Sequence, residues 1–160
     1  MALLIGSNKI KTAVFISGTG SNLKSLIQFS KLKKSPIVIK LIISNNAKSK
    51  GLQYAKVYKI KKKIFDFKNN SSEKKVIDEL KNDNINLICL AGFMKILSKN
   101  FIKSFKGQIL NIHPSLLPKY KGLNTHQRAI NNNEKFSGCT VHYVSAKLDS
   151  GKIILVCWGK

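Results

Sequence analysis

The chain has 160 residues, of which 43% are hydrophobic and 22% charged; that length and balance suit one folded domain with its own core and exclude a disordered or fibrous chain. No apolar run is long enough to span a membrane. The opening MALLIG is too short for a secretory signal core and has no charged residue before it, so a cytoplasmic protein is expected. The formal net charge is +22, from 29 basic and 7 acidic side chains, which invites a nucleic-acid or membrane-surface reading. Every basic residue except Arg128 is a lysine, however, and the lysines run along the whole chain. Base and phosphate recognition usually exploits the planar fork of arginine. The lysines are therefore expected on solvated surface, with no specific nucleic acid and no membrane as partner. Cys89, Cys139 and Cys157 show neither a close pair nor a metal-ligand spacing and are expected as three buried or half-buried thiols.

In chain order, residues 11–17 (KTAVFIS) read as a buried strand, followed by the glycine turn GTGSN. Residues 22–32 carry Leu23, Leu26 and Ile27 at helical spacing. Residues 37–44 (IVIKLIIS) form the second expected strand, 48–58 a helix, and 63–67 a short third strand. Residues 72–83 place Val76, Ile77 and Leu80 on one helix face, with Ser71 or Ser72 as cap. A buried strand at 85–91, a short helix at 99–105 and a strand at 108–112 come next. Residues 125–131 read as a helix, and 140–145 and 153–157 as strands. Strands alternating with helices imply a doubly wound, mostly parallel, Rossmann-like α/β sheet in a single domain over 1–160. Sites in such sheets form beyond the carboxyl ends of the strands. The turn at Gly18 and the segments after Ala91 and Ile112 are the places to look.

The glycine turn Gly18-Thr19-Gly20-Ser21-Asn22 opens a helix, where free backbone N–H groups attract an anion. A dinucleotide fingerprint would need glycine at position 23 and an acidic residue at the end of the second strand. Leu23 and Ser44-Asn45-Asn46 stand there instead. A phosphate monoester is the better match, against the plain alternative of a tight turn capped by Ser21. Asn111 and His113 alternate at the end of a strand, so they point to one side, and Pro114 and Pro118 stiffen the loop after them. Two such donors can stabilise a developing oxyanion, and a histidine can also carry a proton. Alone, the pair reads rather as a loop cap and a packed core histidine. Asp149, in the tight turn Leu148-Asp149-Ser150-Gly151, is ordinary for a turn; facing an imidazole it would hold His113 in its protonated, donating form. His126 and His142 lack ligand spacing and are assigned no role, and no Cys or Ser stands beside a His as a covalent nucleophile.

Four segments, ISGTGSNL (16–23), LAGFMKILS (90–98), LNIHPSLLPKYKG (110–122) and LDSG (148–151), occur in an order and spacing that resemble the phosphoribosylglycinamide formyltransferase family. The resemblance runs over residues 11–155. It implies a formyl transfer from 10-formyltetrahydrofolate, as co-substrate, to 5'-phosphoribosylglycinamide in purine biosynthesis, with no metal. Gly20, Ser21 and Asn22 would hold the phosphate. Met94, Lys95, Ile96, Leu97, Asn111, Ser145 and Leu148 would contact the folate. Asn111 and His113 would stabilise the tetrahedral intermediate, with Asp149 supporting His113. Formyltetrahydrofolate deformylase and methionyl-tRNA formyltransferase share the Asn, His and Asp pattern and stand as alternatives, beside an inactive fragment and a basic nucleic-acid-binding α/β module. The chain departs from the family at Lys68, where an arginine often touches folate, and at Lys95, where arginine is common. The ending VCWGK also departs from it. By the resemblance, a further strand and helix would come after the LDSG turn, so the chain reads as incomplete at its C-terminus and is expected to be poorly stable, with little activity.

Overall fold

The computed structural model describes residues 9–159. Seven strands form one sheet: β1 (Ile10–Ile16), β2 (Ile37–Ser44), β3 (Lys61–Ile64), β4 (Leu87–Leu90), β5 (Gln108–His113), β6 (Ser137–Tyr143) and β7 (Ile153–Gly159), in the spatial order β3-β2-β1-β4-β5-β6-β7. The first five pair in parallel, whereas β6 and β7 join antiparallel. Five helices, α1 (Ser21–Ser30), α2 (Gln53–Val57), α3 (Asn70–Asn82), α4 (Lys99–Ser104) and α5 (Thr125–Asn131), connect them. This is the doubly wound, mostly parallel α/β sheet expected from the alternation of strands and helices.

The two faces of the sheet are sealed by different helices. Val14, Ile16 and Ile42 pack with Leu23 and Ile27 of α1 and Ala55 of α2. Ala13, Phe15, Ile43 and Ile88 pack on the other face with Val76, Ile77 and Leu80 of α3 and Phe101 of α4. Alternate residues of β1 thus face opposite cores, the period-2 rule at work in a strand buried on both sides. In β2 that period breaks once. Thr12 pairs with Ile39 but Ala13 pairs with Leu41, so Lys40 is a bulged residue, turned out to solvent. The extra residue swaps the parity, and Ile39 and Ile42 end on the same face.

Several boundaries differ from expectation for identifiable reasons. β3 lies at Lys61–Ile64, ahead of the expected 63–67, because its register is set by pairing with residues 41–44 of β2 and all four of its residues are exposed. The helix expected at 48–58 starts as a 3-10 turn at Lys50–Leu52. The cap of α3 is Asn69, whose side chain accepts from the Ser72 N–H, rather than Ser71 or Ser72. β6 begins at Ser137, before the expected Thr140, and β7 runs on to Gly159.

The chain runs from β1 out to β3 and then returns to lay β4 on the other side of β1. That switch in winding direction opens a crevice beyond the carboxyl ends of β1 and β4. Among the described residues no helix is long and apolar enough to cross a membrane.

Candidate active site

Beyond the carboxyl ends of β4 and β5 lies a cavity of about 650 Å³, within the size range of small-molecule sites. One wall is the segment after β4. Phe93 anchors it, stacking edge-on against Phe15 and Phe67 with ring centroids 5.4 and 5.0 Å away. Leu97 is buried in the core, while Met94 and Ile96 stand 64% and 74% exposed at the rim, unusual exposure for apolar side chains and open to an apolar ligand. The far end of the segment is pinned by Glu73 of α3, which accepts from the Ser98 N–H at 3.0 Å and from the Ser98 hydroxyl. Met94, Lys95, Ile96 and Leu97 all line the cavity, as do Ser145 and Leu148 on the opposite side. Lys68 is not among the lining residues, whereas Lys95 is.

Asn111, His113 and Asp149 meet in this cavity. The first two come from the end of β5; Asp149 arrives from the turn between β6 and β7, where it adopts a left-handed φ of 43°. Gly151 makes the turn possible, because a side chain there would collide with the Tyr143 carbonyl at 1.7 Å. The carboxylate is a hub with nearly no exposure. Its Oδ2 accepts from the Gly122 N–H at 2.9 Å and lies 3.4 Å from His113 Nδ1. Its Oδ1 accepts from Asn111 Nδ2 at 3.4 Å and lies 3.6 Å from His142 Nε2.

The sequence context of His142 suggests no role; the structure puts it in the cluster. It sits directly opposite Asn111 in the β5–β6 register and is 2% exposed. Its Nδ1 donates to the Tyr143 carbonyl at 2.9 Å, which leaves Nε2 to accept from Asn111 Nδ2 at 3.2 Å. The signal that marks it is register, since a buried polar residue at a strand position opposite Asn111 shares its face. His126, on α5, lines the cavity and is exposed.

The His113 ring is engaged at both ends. Nε2 donates to the Tyr120 carbonyl at 2.8 Å, and Nδ1 faces Asp149. Tyr120 belongs to the loop after β5, held down by several ties. The Ser115 hydroxyl donates to the Lys119 carbonyl at 2.6 Å, the Tyr120 hydroxyl to Glu134 at 2.7 Å, and Arg128 to the Lys121 carbonyl at 2.7 Å. The Lys119 ammonium adds an ion pair with Glu134 at 2.8 Å. Lys119 first, then Tyr120, hold the Glu134 carboxyl below its ordinary value by hydrogen bonding.

Gly20, Ser21 and Asn22 are not part of the cavity lining; they open α1 at the end of β1. Gly20 is the N-cap, with φ 77° and no side-chain cap bond, so Ser21 does not cap the helix. A side chain at Gly20 would meet the Gly51 backbone at 2.7 Å. The turn is braced from that side, where the Ser49 hydroxyl and the Gly51 N–H donate to the Gly18 carbonyl at 2.7 and 3.0 Å. With no side chain on them, the first-turn N–H groups of α1 are available to an anion. The Ser17 hydroxyl links this turn to the cavity wall, accepting from the Met94 N–H at 2.7 Å while donating to Asn45.

Comparison with known proteins agrees with this geometry. The formyl transferase family model matches residues 10–157. A phosphoribosylglycinamide formyltransferase of Haemophilus influenzae is 46% identical over 149 residues, covering 91% of this chain and 70% of the relative. The trifunctional purine biosynthetic protein adenosine-3 of Gallus gallus is 45% identical over 157 residues, covering 94% of this chain and only 15% of that much longer protein. The crystal structure of phosphoribosylglycinamide formyltransferase from Anaplasma phagocytophilum superposes with a TM-score of 0.88 at 40% identity, covering 94% of this chain and 71% of that one. The chain belongs to the formyl transferase family, among its phosphoribosylglycinamide formyltransferases.

Proposed function

We propose that the chain transfers the formyl group of 10-formyltetrahydrofolate to the amine of 5'-phosphoribosylglycinamide. The observation that carries this reading is the meeting of Asn111, His113 and Asp149 in one apolar-walled cavity, beside an uncapped helix N-terminus. The names of the Haemophilus and Anaplasma relatives point to the same reaction. The folate ring system enters against Met94, Ile96 and Leu97 on one side and Ser145 and Leu148 on the other. The nucleotide phosphate sits on the N–H groups of Gly20, Ser21 and Asn22, which directs its amine toward Asn111.

The amine attacks the formyl carbon and a tetrahedral oxyanion forms. Asn111 Nδ2 and His113 Nε2 are the donors placed to stabilise it. In the resting geometry both are occupied, so two contacts give way. The Tyr120 carbonyl releases His113 Nε2, and the long 3.4 Å bond from Asn111 to Asp149 yields before the 3.2 Å bond to His142. The Asp149 carboxylate stays on His113 Nδ1 and keeps the ring oriented. The attacking amine loses a proton as the folate nitrogen gains one, through His113 or water. Positioning and electrostatic stabilisation supply the rate, and the protein forms no covalent bond to the formyl group.

The two halves of the site separate kinetically. Gly20→Ala is expected to raise the KM for the nucleotide about tenfold or more, leaving the folate KM nearly unchanged. His113→Ala is expected to lower kcat about a hundredfold or more, the scale of losing an oxyanion donor. Equal effects of Gly20→Ala on both KM values would remove the phosphate assignment. Near-normal turnover of His113→Ala would remove the mechanism.

A further inference from the structure

In the β6–β7 hairpin, Cys139 and Cys157 are direct register partners, although 17 residues separate them in the chain. All three cysteines are free thiols, as expected, although Cys157 is exposed rather than buried or half-buried, and the antiparallel return after the LDSG turn brings it opposite Cys139. We infer that Cys139 and Cys157 form a redox-modifiable thiol pair, oxidised by small disulfides of the glutathione class to a cross-strand disulfide that fastens β7 to β6.

Three observations support this. Opposed residues in antiparallel strands have Cα atoms about 4.5–5.5 Å apart, inside the roughly 4.4–6.8 Å window a disulfide needs. The pair also shares a sheet face. Thr140 and His142 turn into the fold and are buried, so Cys139 points to the other side, together with Val141 and its partner Leu155. That side is open, with Leu155 54% exposed and Cys157 exposed. Lastly, Cys157 acts on the Cys139 thiol. Burial first, then the neighbouring Cys157 through its charge and its side-chain hydrogen bond, pushes the Cys139 thiol up. The third cysteine is no competitor, since Cys89 is buried in the sheet and its thiol is pushed up to about 11 by burial.

The exposed Cys157 meets the oxidant first. Its thiolate attacks one sulfur of oxidised glutathione, giving a mixed disulfide and releasing one glutathione thiolate. Cys139 then gives up its proton, its sulfur attacks Sγ of Cys157, and the second glutathione leaves as thiolate. Overall two protein thiols lose two electrons and two protons, and one oxidised glutathione becomes two reduced ones. The new bond closes the loop 139–157, which contains the Asp149 turn.

The inference is independent of the proposed reaction and is tested without it. The folded chain is incubated with oxidised glutathione, quenched with acid, unfolded, alkylated and mapped by mass spectrometry. The expected product has lost two hydrogens, carries one alkyl group on Cys89, and yields a Cys139–Cys157 cross-linked peptide. Its melting temperature is expected to rise by roughly 5–10 °C, and to return on reduction. Cys139→Ser is expected to stop at the mixed disulfide on Cys157. A wild-type chain that keeps glutathione on Cys157, forms intermolecular disulfides, or links Cys89 as often as Cys139 would overturn the pairing. So would a cross-link forming no faster in the folded chain than in urea.

Discussion

At the residue scale the site is a set of donors sharing one carboxylate. Asp149 takes contacts from Asn111, His113 and the Gly122 N–H, with the accepting Nε2 of His142 3.6 Å away. Asn111 and His113 stand out in the sequence by their alternation beside two prolines, whereas Asp149 is ordinary for a turn and is marked by the family resemblance. His142 is not. Its partner is chosen by cross-strand register, and one histidine among apolar residues looks like packing. The Tyr120 carbonyl is also invisible, since a backbone acceptor leaves no mark on composition. His142 holds the Asn111 amide by accepting from it, so His142→Phe is expected to leave Asn111 free to turn. Losing one buried hydrogen bond costs about 1–3 kcal/mol, which predicts a fall in kcat of roughly tenfold to a hundredfold with a smaller change in KM. Steady-state kinetics on the folded variant checks it; unchanged kcat would make His142 a packing residue only.

At the element scale the loop from Pro114 to Asn124 matters most, because its Tyr120 carbonyl holds His113 Nε2, a contact the proposed reaction requires it to release. Two of its ties run to Glu134, which receives Lys119 and Tyr120, and a third runs from the Gly122 N–H to Asp149. The folded-state carboxyl lies below its ordinary value of 4.5. A depressed carboxyl contributes stability that is present above its unfolded value and is lost as pH falls through the folded value. The loop is therefore expected to be tied near neutral pH and to loosen in the acid range below about pH 4.5. Glu134→Gln is expected to loosen it at neutral pH as well. Hydrogen exchange at the Tyr120 and Gly122 amides reads both effects, and equal protection in the wild type and the variant would show that the loop is held elsewhere. The elements themselves are largely readable from apolar period. Where they are not, tertiary pairing decides: β3 slides toward its partner β2, and a bulge at Lys40 hides a change of face that alternation alone does not reveal.

At the scale of the whole molecule, the sheet is well covered from β2 to β5 and bare at β7. Ile154 is 47% exposed, Leu155 54% and Trp158 69%, and β7 is the last strand in the sheet order. Among the described residues β7 pairs with β6 alone, and an apolar strand with one unpaired edge is a template for association. β7 is also longer than expected, pairing with β6 along Ser137–Tyr143, so the Asp149 turn is bounded by strands on both sides. Appending the part of the Haemophilus relative that lies beyond the matched region is expected to cover this edge. The extended chain should melt about 5 °C or more above the present one, since each 1 kcal/mol moves the midpoint of a chain this size by roughly 2–4 °C. It should also scatter less light at equal concentration. Equal melting temperature and equal scattering would mean that the β7 edge is harmless as it stands.

The central claim is that the formyl group leaves the folate for an amine held by its phosphate. The direct measurement is mass spectrometry of the nucleotide after incubation of the chain with 10-formyltetrahydrofolate and 5'-phosphoribosylglycinamide, with enzyme in excess so that one turnover suffices. The expected product is N-formylated nucleotide equal in amount to the tetrahydrofolate formed, and none with His113→Ala over the same interval. Tetrahydrofolate accompanied by free formate and an unchanged nucleotide would contradict it, because water rather than the amine would then be the acceptor.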